Sequence, residues 1–422
     1  MRLPTYNDRV VVIVDAHSSA AFLAPAFLCH GFHAIHVQNL TERSPRLHAT
    51  VVPETFSETV DYHGDLRPVL DRLAVHDVAY VLAGMDSGVG VADALATALD
   101  LETANPVETS AARRDKGRMQ EALVAAGVPA GRFGVVASET DARHAADEIG
   151  RAVVVKPLKS SGTDGVLVCG SPEEAQAAAG VLLAGRDHYG KPNRSVLVQE
   201  YLEGDEFMVN AVSAAGEHRV LEVWRSVKRD VDGSRVYDFQ DLLAGDDGDY
   251  LVVADYTRQV LDAVDHRWGP SHTEVIVTAE GPRLVEVGAR LAGSISPTAV
   301  VLATGQNQIV STIRAFLDPE AFLTETPQPL PLRRHCRGVS LISPRSGVLA
   351  RDLDWRRFEL LPAFHGLRPL VGEGDQLPRT ADLLSRPGGL YLVHEEAGVI
   401  EDDYEQIRRW EIEDLYAPLA AS

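Results

Sequence analysis

Three segments of the chain carry residue types suited to chemistry on phosphate and carboxylate groups. In the first, Ala152-Val153-Val154-Val155-Lys156-Pro157 runs into Ser160-Ser161-Gly162-Thr163-Asp164-Gly165. A lysine closing an apolar strand must find an anion or lose its charge. Phosphate suits it, and the Ser/Gly turn can aim successive backbone N–H groups at one point. A strand that merely surfaces into an ordinary loop is the plainer alternative. In the second segment the apolar Val196-Leu197-Val198 leads through Gln199-Glu200-Tyr201-Leu202 to Glu203-Gly204-Asp205-Glu206-Phe207. The hinge backbone can read an adenine edge and Glu206 can accept from ribose hydroxyls; a solvated acidic turn is the competing reading.

The third segment, His272-Thr273-Glu274-Val275-Ile276-Val277-Thr278-Ala279-Glu280-Gly281-Pro282-Arg283-Leu284-Val285-Glu286-Val287-Gly288-Ala289-Arg290, is the most specific. Two β runs flank a Glu-Gly-Pro turn and read as a hairpin. A turn centred on Glu280 sets Glu274 opposite Glu286; a one-residue change leaves them diagonal. Opposed carboxylates weaken a sheet unless a cation lies between them. Magnesium, which takes one or two carboxylates with nucleotide phosphates and water, fits that gap. Arg290 adds a permanent bidentate donor for a phosphorylated or carboxylate substrate. Two solvent-facing glutamates on an exposed hairpin remain the alternative.

The elements around these segments order as an α/β (α+β) chain. Val10 to Val14 and Ala34 to Val37 are unalternating runs of the kind buried on both faces of a parallel sheet. Val78 to Gly84 is a third run, followed by a helix over Val91 to Leu99. The glycines there match neither GxGxxG nor a Walker A pattern, so no dinucleotide site is assigned. A helix is expected over Ser110 to Ala126, capped at Thr109 or Ser110. The Pro-rich stretch Thr324 to Pro331 reads as a linker. Beyond it lie β signals at Val339 to Ile342 and Gly389 to Val393, then a helix from Asp402 to Glu413. The expected division is 1–106, 107–322 (with parts 107–200 and 201–322) and 323–422.

The 422 residues hold 40 Lys plus Arg against 61 Asp plus Glu, a formal charge of −21, so cations for nucleic acid would have to come from a local patch, and none is present. Cys29, Cys169 and Cys336 are widely spaced; they imply buried thiols rather than disulfides or zinc, and a reducing cytoplasm is the simplest compartment. No stretch reaches the roughly 18 apolar residues of a membrane span.

Together the three segments resemble the ATP-grasp superfamily over most of the chain: a pre-ATP-grasp α/β domain, a central grasp and a C-terminal extension. The resemblance makes Lys116, within Arg113-Arg114-Asp115-Lys116-Gly117-Arg118-Met119, the first phosphate lysine and Lys156 the second. It makes Ser160, Ser161 and Gly162 part of the phosphate flap, Glu200, Tyr201 and Leu202 the adenine hinge, and Glu206 the ribose contact. Glu274 and Glu286 become magnesium ligands, with manganese as a substitute, and Arg290 the stabiliser of acyl-phosphate and tetrahedral states. Where many members place Asn two residues after the second metal glutamate, this chain has Gly288. That departure turns the resemblance from biotin carboxylases and D-alanine–D-alanine ligases toward the L-amino-acid ligase branch, including ligases of bacterial peptide natural products.

The implied reaction is phosphoryl transfer from Mg·ATP to an amino-acid carboxylate, then displacement of phosphate by an amine, giving a dipeptide or amide with ADP and phosphate. His272 is a candidate substrate contact or base, with a structural role as the alternative. The segment Lys228 to Asp249 reads as a lid or an exposed variable loop. The partners implied are small-molecule carboxylate and amine substrates, with neither nucleic acid nor membrane, and a homodimer through the α/β unit is a family-level expectation. Other readings are a ligase with a non-amino-acid acceptor, an ATP-dependent carboxylase, or a non-catalytic nucleotide-binding regulator.

Overall fold

A computed structural model describes residues 9–42, 50–159, 165–187, 189–231, 234–293, 296–382 and 385–419. The first unit comprises β1 (Arg9–Val14), α1 (Leu23–Leu28), β2 (His33–Asn39), β3 (Glu58–Tyr62), α2 (Arg67–Leu73), β4 (Asp77–Ala83) and α3 (Val89–Ala98). Its sheet is parallel in the order β3-β2-β1-β4. Val11 to Val14 are fully buried, because helices cover both faces and every strand side chain leaves water. Strand order reverses between β1 and β4, and their carboxyl ends open a crevice of the kind where ligands bind in such sheets. The turn Asp86–Gly88 lies there; a Cβ on Gly88 would sit 2.6 Å from the Val14 carbonyl, so only glycine lets this turn lie against β1.

The expected single helix over Ser110 to Ala126 is in fact a 3-10 turn over Val107–Arg113 followed by α4 (Lys116–Ala125). Asp115 is the cap: its carboxylate accepts from the backbone of Gly117 and Arg118, stronger capping than Thr109 or Ser110 offers. Lys116 is thereby fixed at the first helical position. A four-stranded sheet follows from β5 (Phe133–Val136), β6 (Val153–Pro157), β7 (Leu167–Cys169) and β8 (Val196–Glu200), ordered β5-β8-β6-β7 and antiparallel. Helices α5 (Glu139–Ile149) and α6 (Pro172–Ala184) cover one face through Ala142, Ala146, Ala175 and Leu182.

The largest sheet takes β9 (Asp205–Ala214), β10 (Glu217–Val231), β11 (Ser234–Leu242), β12 (Gly269–Thr278), β13 (Gly281–Gly288) and β14 (His335–Ser340), then, past β15 (Gly347–Val348) and β17 (Gln376–Leu377), which pair with each other, β16 (Phe364–Pro369) and β18 (Gly388–His394). Its order is β13-β12-β9-β10-β11-β14-β18-β16. Lys228 to Asp249 is therefore not an irregular loop: most of it is the end of β10 and all of β11, an antiparallel hairpin. Phe207, Val209, Val223, Val275 and Leu284 pack one face onto α4 and α7 (Gly248–Ala263), and the other face sets Glu206, Asn210, Glu222 and Glu274 among apolar side chains such as Met208 and Trp224.

The Pro-rich stretch is no free tether. Its first residues end the short helix Pro319–Glu325, the Gln328 side chain bonds both the N–H and the C=O of Val220, and Leu330 is buried. Strands β14 and β18 extend the central sheet, and the helix Ala397–Glu413 buries Ile400, Tyr404 and Ile407 in a separate core with Leu390 and Leu392. Of the cysteines Cys169 and Cys336 are buried as expected, whereas Cys29 is exposed.

Candidate active site

The hairpin that carries Glu274 and Glu286 reaches the register the sequence suggests by a different route. The turn is the two residues Ala279-Glu280, closed between Thr278 and Gly281, which alone would set Val285 opposite Glu274 and turn Glu286 to the other face. A β-bulge at Val285 supplies the missing residue, so Glu274 and Glu286 are direct partners. The bulge also lets Leu284 and Val287, three residues apart, both face the core.

Lys116 reaches this pair from α4, with its Nζ 3.0 Å from Glu286 Oε2. Lys156 is buried at the end of β6 in the facing sheet; burial and the neighbouring Lys116 pull its ammonium down to about 8, opposed by Glu286 and Glu274. Two lysines, one from α4 and one from the smaller sheet, thus meet two carboxylates of the central sheet. Glu274 is held below the usual carboxylate range: burial pushes its carboxyl up, but the hydrogen bond and charge of His272, with Lys116 and Arg290, outweigh it. His272 Nε2 lies 3.6 Å from Glu274, and its Nδ1 donates to Asn210 Oδ1 at 2.8 Å.

Arg290 follows β13 and is buried, its Nε donating to both oxygens of Asp86 at 3.0 and 3.1 Å and its Nη1 to the Leu291 carbonyl. Asp86 comes from the switch-point crevice of the first unit. Burial alone would raise its carboxyl, but Arg290, with Lys116 and Arg114, holds it below the usual carboxylate range. A Cβ on Gly288 would lie 2.8 Å from Asp86 Oδ1 and 3.3 Å from the Arg290 guanidinium. The Asp86–Arg290 pair fills the space that an asparagine side chain would need, which is why glycine stands at this position. The loop after Arg290 is tied to the first unit by Ser18 and Ser19 hydroxyls donating to the carbonyls of Gly293 and Ala292.

At the other end of the cleft Glu206 accepts from Lys228 Nζ at 2.5 Å and Tyr237 OH at 2.6 Å. Lys228 also lies 4.4 Å over the Tyr237 ring, so the β10–β11 hairpin brings both a cation and a phenol to Glu206. In the hinge, the Glu200 side chain anchors the smaller sheet, accepting from the Arg132 backbone at 2.9 Å and pairing with Arg132 and Arg151. The N–H of Tyr201 donates to the Ala152 carbonyl. Leu202 is the hinge residue whose N–H makes no hydrogen bond within the described residues. Ser160, Ser161 and Gly162 lie outside the described residues.

The structure therefore brings together Lys116, Lys156, Glu274, Glu286, His272 and Arg290, with Glu206 and the hinge along the same cleft. Sequence reasoning missed Asp86 and Asn210, and it placed Lys228 and Tyr237 only within a lid or variable loop. For Asp86 a signal existed, an acid just beyond β4 at the carboxyl edge where such sheets bind ligands. The pairing of strands on which the others depend joins residues far apart in the chain.

Two lysines, a cross-strand dicarboxylate and an arginine oriented by Asp86 stand side by side, a set able to hold a polyphosphate and a cation. Comparison with known proteins agrees. Residues 114–266 match the family model of the phosphoribosylglycinamide synthetase ATP-grasp (A) domain. Dapdiamide A synthase of Enterobacter agglomerans is 33% identical over 416 residues, 95% of this chain and 96% of that protein. A phosphoribosylamine–glycine ligase of Streptococcus pneumoniae is 24% identical over 387 residues, 82% of this chain and 84% of the other. The crystal structure of an L-amino acid ligase from Bacillus licheniformis superposes with a TM-score of 0.75 at 18% identity, covering 96% of this chain and 98% of that one. The chain belongs to the ATP-grasp family and is a C–N bond-forming ligase that uses ATP to join a carboxylate to an amine. No helix among the described residues is long and apolar enough to cross a membrane.

Proposed function

We propose that the chain joins two amino acids, activating the carboxylate of one as an acyl phosphate and releasing an amide, ADP and phosphate when the amine of the other attacks. The observation that carries this reading is the cross-strand pairing of Glu274 with Glu286 beside Lys116 and Lys156. Such a dicarboxylate fits magnesium better than zinc, since it offers hard oxygens and leaves positions for phosphates and water, and manganese would be accepted on the same ground. A bound magnesium ion supplies charge neutralisation to the phosphates.

Lys116 and Lys156 neutralise and orient the transferring phosphoryl group, work that is mostly positioning and electrostatics. Leu202 and Glu206 hold the nucleoside end. Arg290, pre-oriented by Asp86, faces the charge that develops on the carboxyl oxygen during amine attack. Burial of Arg290 and Lys156 indicates a site that can exclude water from an acyl phosphate. The names of the dapdiamide A synthase and L-amino acid ligase relatives support amino acids as substrates. The free cysteines support a reducing cytoplasm.

The test is ADP release with paired amino acids, alone and together, for the wild type and Glu286→Gln. ADP formation that requires both amino acids and falls about 10²–10³-fold in the variant is expected. ADP release unchanged in the variant, or stimulated by bicarbonate in place of the amine, contradicts it.

A further inference from the structure

The polar face of the central sheet is laid out in rows. Ile276, Glu206, Ser226 and Gln240 form one row across β12, β9, β10 and β11. Glu286, Glu274, Met208 and Trp224 form the next, and Gly288, His272, Asn210 and Glu222 the third. Successive rows are two residues apart along the strands, about 7 Å. The first carries the ribose-side carboxylate and the second the metal carboxylates. The third lies on the side toward which β13 runs into Arg290, where the carboxylate substrate must sit.

Glu222 is the anomaly in that row. The other acids of the cleft have cationic neighbours: Lys228 at 2.5 Å from Glu206, Lys116 at 3.0 Å from Glu286, and Arg290 at 3.0 Å from Asp86. Glu222 is 1% exposed and meets two neutral donors, Asn210 Nδ2 and Trp224 Nε1, both on Oε2 at 2.8 Å. Its Oε1 accepts no hydrogen bond among the described residues. A glutamine would accept those two N–H groups equally well. A buried carboxylate with no cation beside it is costly, and the cost is removed when a cation arrives. Burial accordingly pushes the Glu222 carboxyl up, which the Trp224 and Asn210 bonds and His272 only partly reverse. Asn210 joins Glu222 to His272, and His272 reaches Glu274, so the acid is connected to the metal row by contacts of 2.8, 2.8 and 3.6 Å. Trp224, Leu242 and Cys336 form an apolar wall beside it.

We propose that Glu222 receives the ammonium group of the amino acid whose carboxylate is activated beside Arg290. The site then complements a zwitterion, with arginine for its carboxylate and glutamate for its ammonium, and it selects amino acids over simple carboxylic acids as acyl donors. The inference rests on the ligase reading above and adds the residue that reads the donor's ammonium.

The full-length protein is given Mg·ATP and hydroxylamine, which traps acyl phosphates as hydroxamates whatever the natural amine. Each proteinogenic L-amino acid is compared with its analogue bearing hydrogen in place of the α-amino group. In the wild type kcat/KM favours the amino acid, and in Glu222→Gln that preference falls about 10- to 100-fold, through KM, the scale of one lost charge-assisted hydrogen bond. Glu222→Asp restores part of the preference, and if the glutamine variant does not fold, retention of preference in the aspartate variant supports the proposal and its complete loss overturns it. The same preference in Glu222→Gln as in the wild type, or equal losses on both series, overturns the ammonium site and leaves the ligase reading standing. Hydroxamates formed only from the acids lacking an amine do the same. Absence of hydroxamate from both series removes the ligase reading and the ammonium site together.

Discussion

Arg290 is held by Asp86 through two oxygens and by the Leu291 carbonyl, so its guanidinium is aimed before any substrate arrives. Lysine carries the same charge but cannot make the fork, and its point charge would sit differently against Asp86. Arg290→Lys is therefore expected to lower kcat by about 10²–10³ with little change in the KM for ATP, a split that locates the loss after nucleotide binding. A rise in the KM for ATP with kcat retained would instead make Arg290 a nucleotide contact. At this scale Lys156, Glu274, Glu286 and Arg290 were legible, since each is a charge on an apolar strand or just past its end and demands a partner. Asp86 and Glu222 were not, because what defines them is an arginine about two hundred residues away and the lack of any cation across two strands.

Elements were legible where composition and burial agree. The β-branched run at β1 is a strand because both its faces are covered, and the hairpin at Glu280 follows from its flanking runs. Reasoning failed where a local competitor decided: Asp115 outcompetes Thr109 and Ser110 as cap, and Lys228 to Asp249, rich in charge and glycine, pairs as a hairpin because β9 and β14 flank it. Between α7 and β12, His266 is fully buried; burial, with Arg113 and His218 nearby, pulls its imidazole down to about 3. With an unfolded value near 6.5, the unfolded chain takes up the proton first. The contribution is thus intact above about pH 6.5 and is lost progressively as pH falls toward 3, about 2 kcal/mol of it by pH 5. Urea unfolding of His266→Gln is expected to show a shallower fall in stability between pH 6.5 and 5 than the wild type. Parallel slopes would place the acid sensitivity elsewhere.

At the scale of the molecule the cleft exists only by assembly. The first unit supplies Asp86, the smaller sheet Lys156, α4 Lys116 and the central sheet the two glutamates with Arg290. The smaller sheet is fastened across the cleft as well: Lys191 donates to Glu42 of the first unit at 3.0 Å, and Arg114 pairs with the same carboxylate while lying 5.5 Å over the Tyr189 ring. The order of these parts along the chain was readable from their motifs. Their facing was not, because it depends on which side of an eight-stranded sheet each charge occupies.

On the ligase reading this assembled charge cluster moves a phosphoryl group onto a substrate carboxylate. Following the oxygens tests it most directly: an amino-acid donor labelled with ¹⁸O in its carboxylate is turned over with Mg·ATP and an acceptor amine, and the released phosphate is analysed by mass spectrometry. An acyl phosphate leaves one carboxylate oxygen on the phosphate, so labelled phosphate is expected in step with amide formation, and in Glu286→Gln the two fall together. Amide formed with wholly unlabelled phosphate would contradict the account.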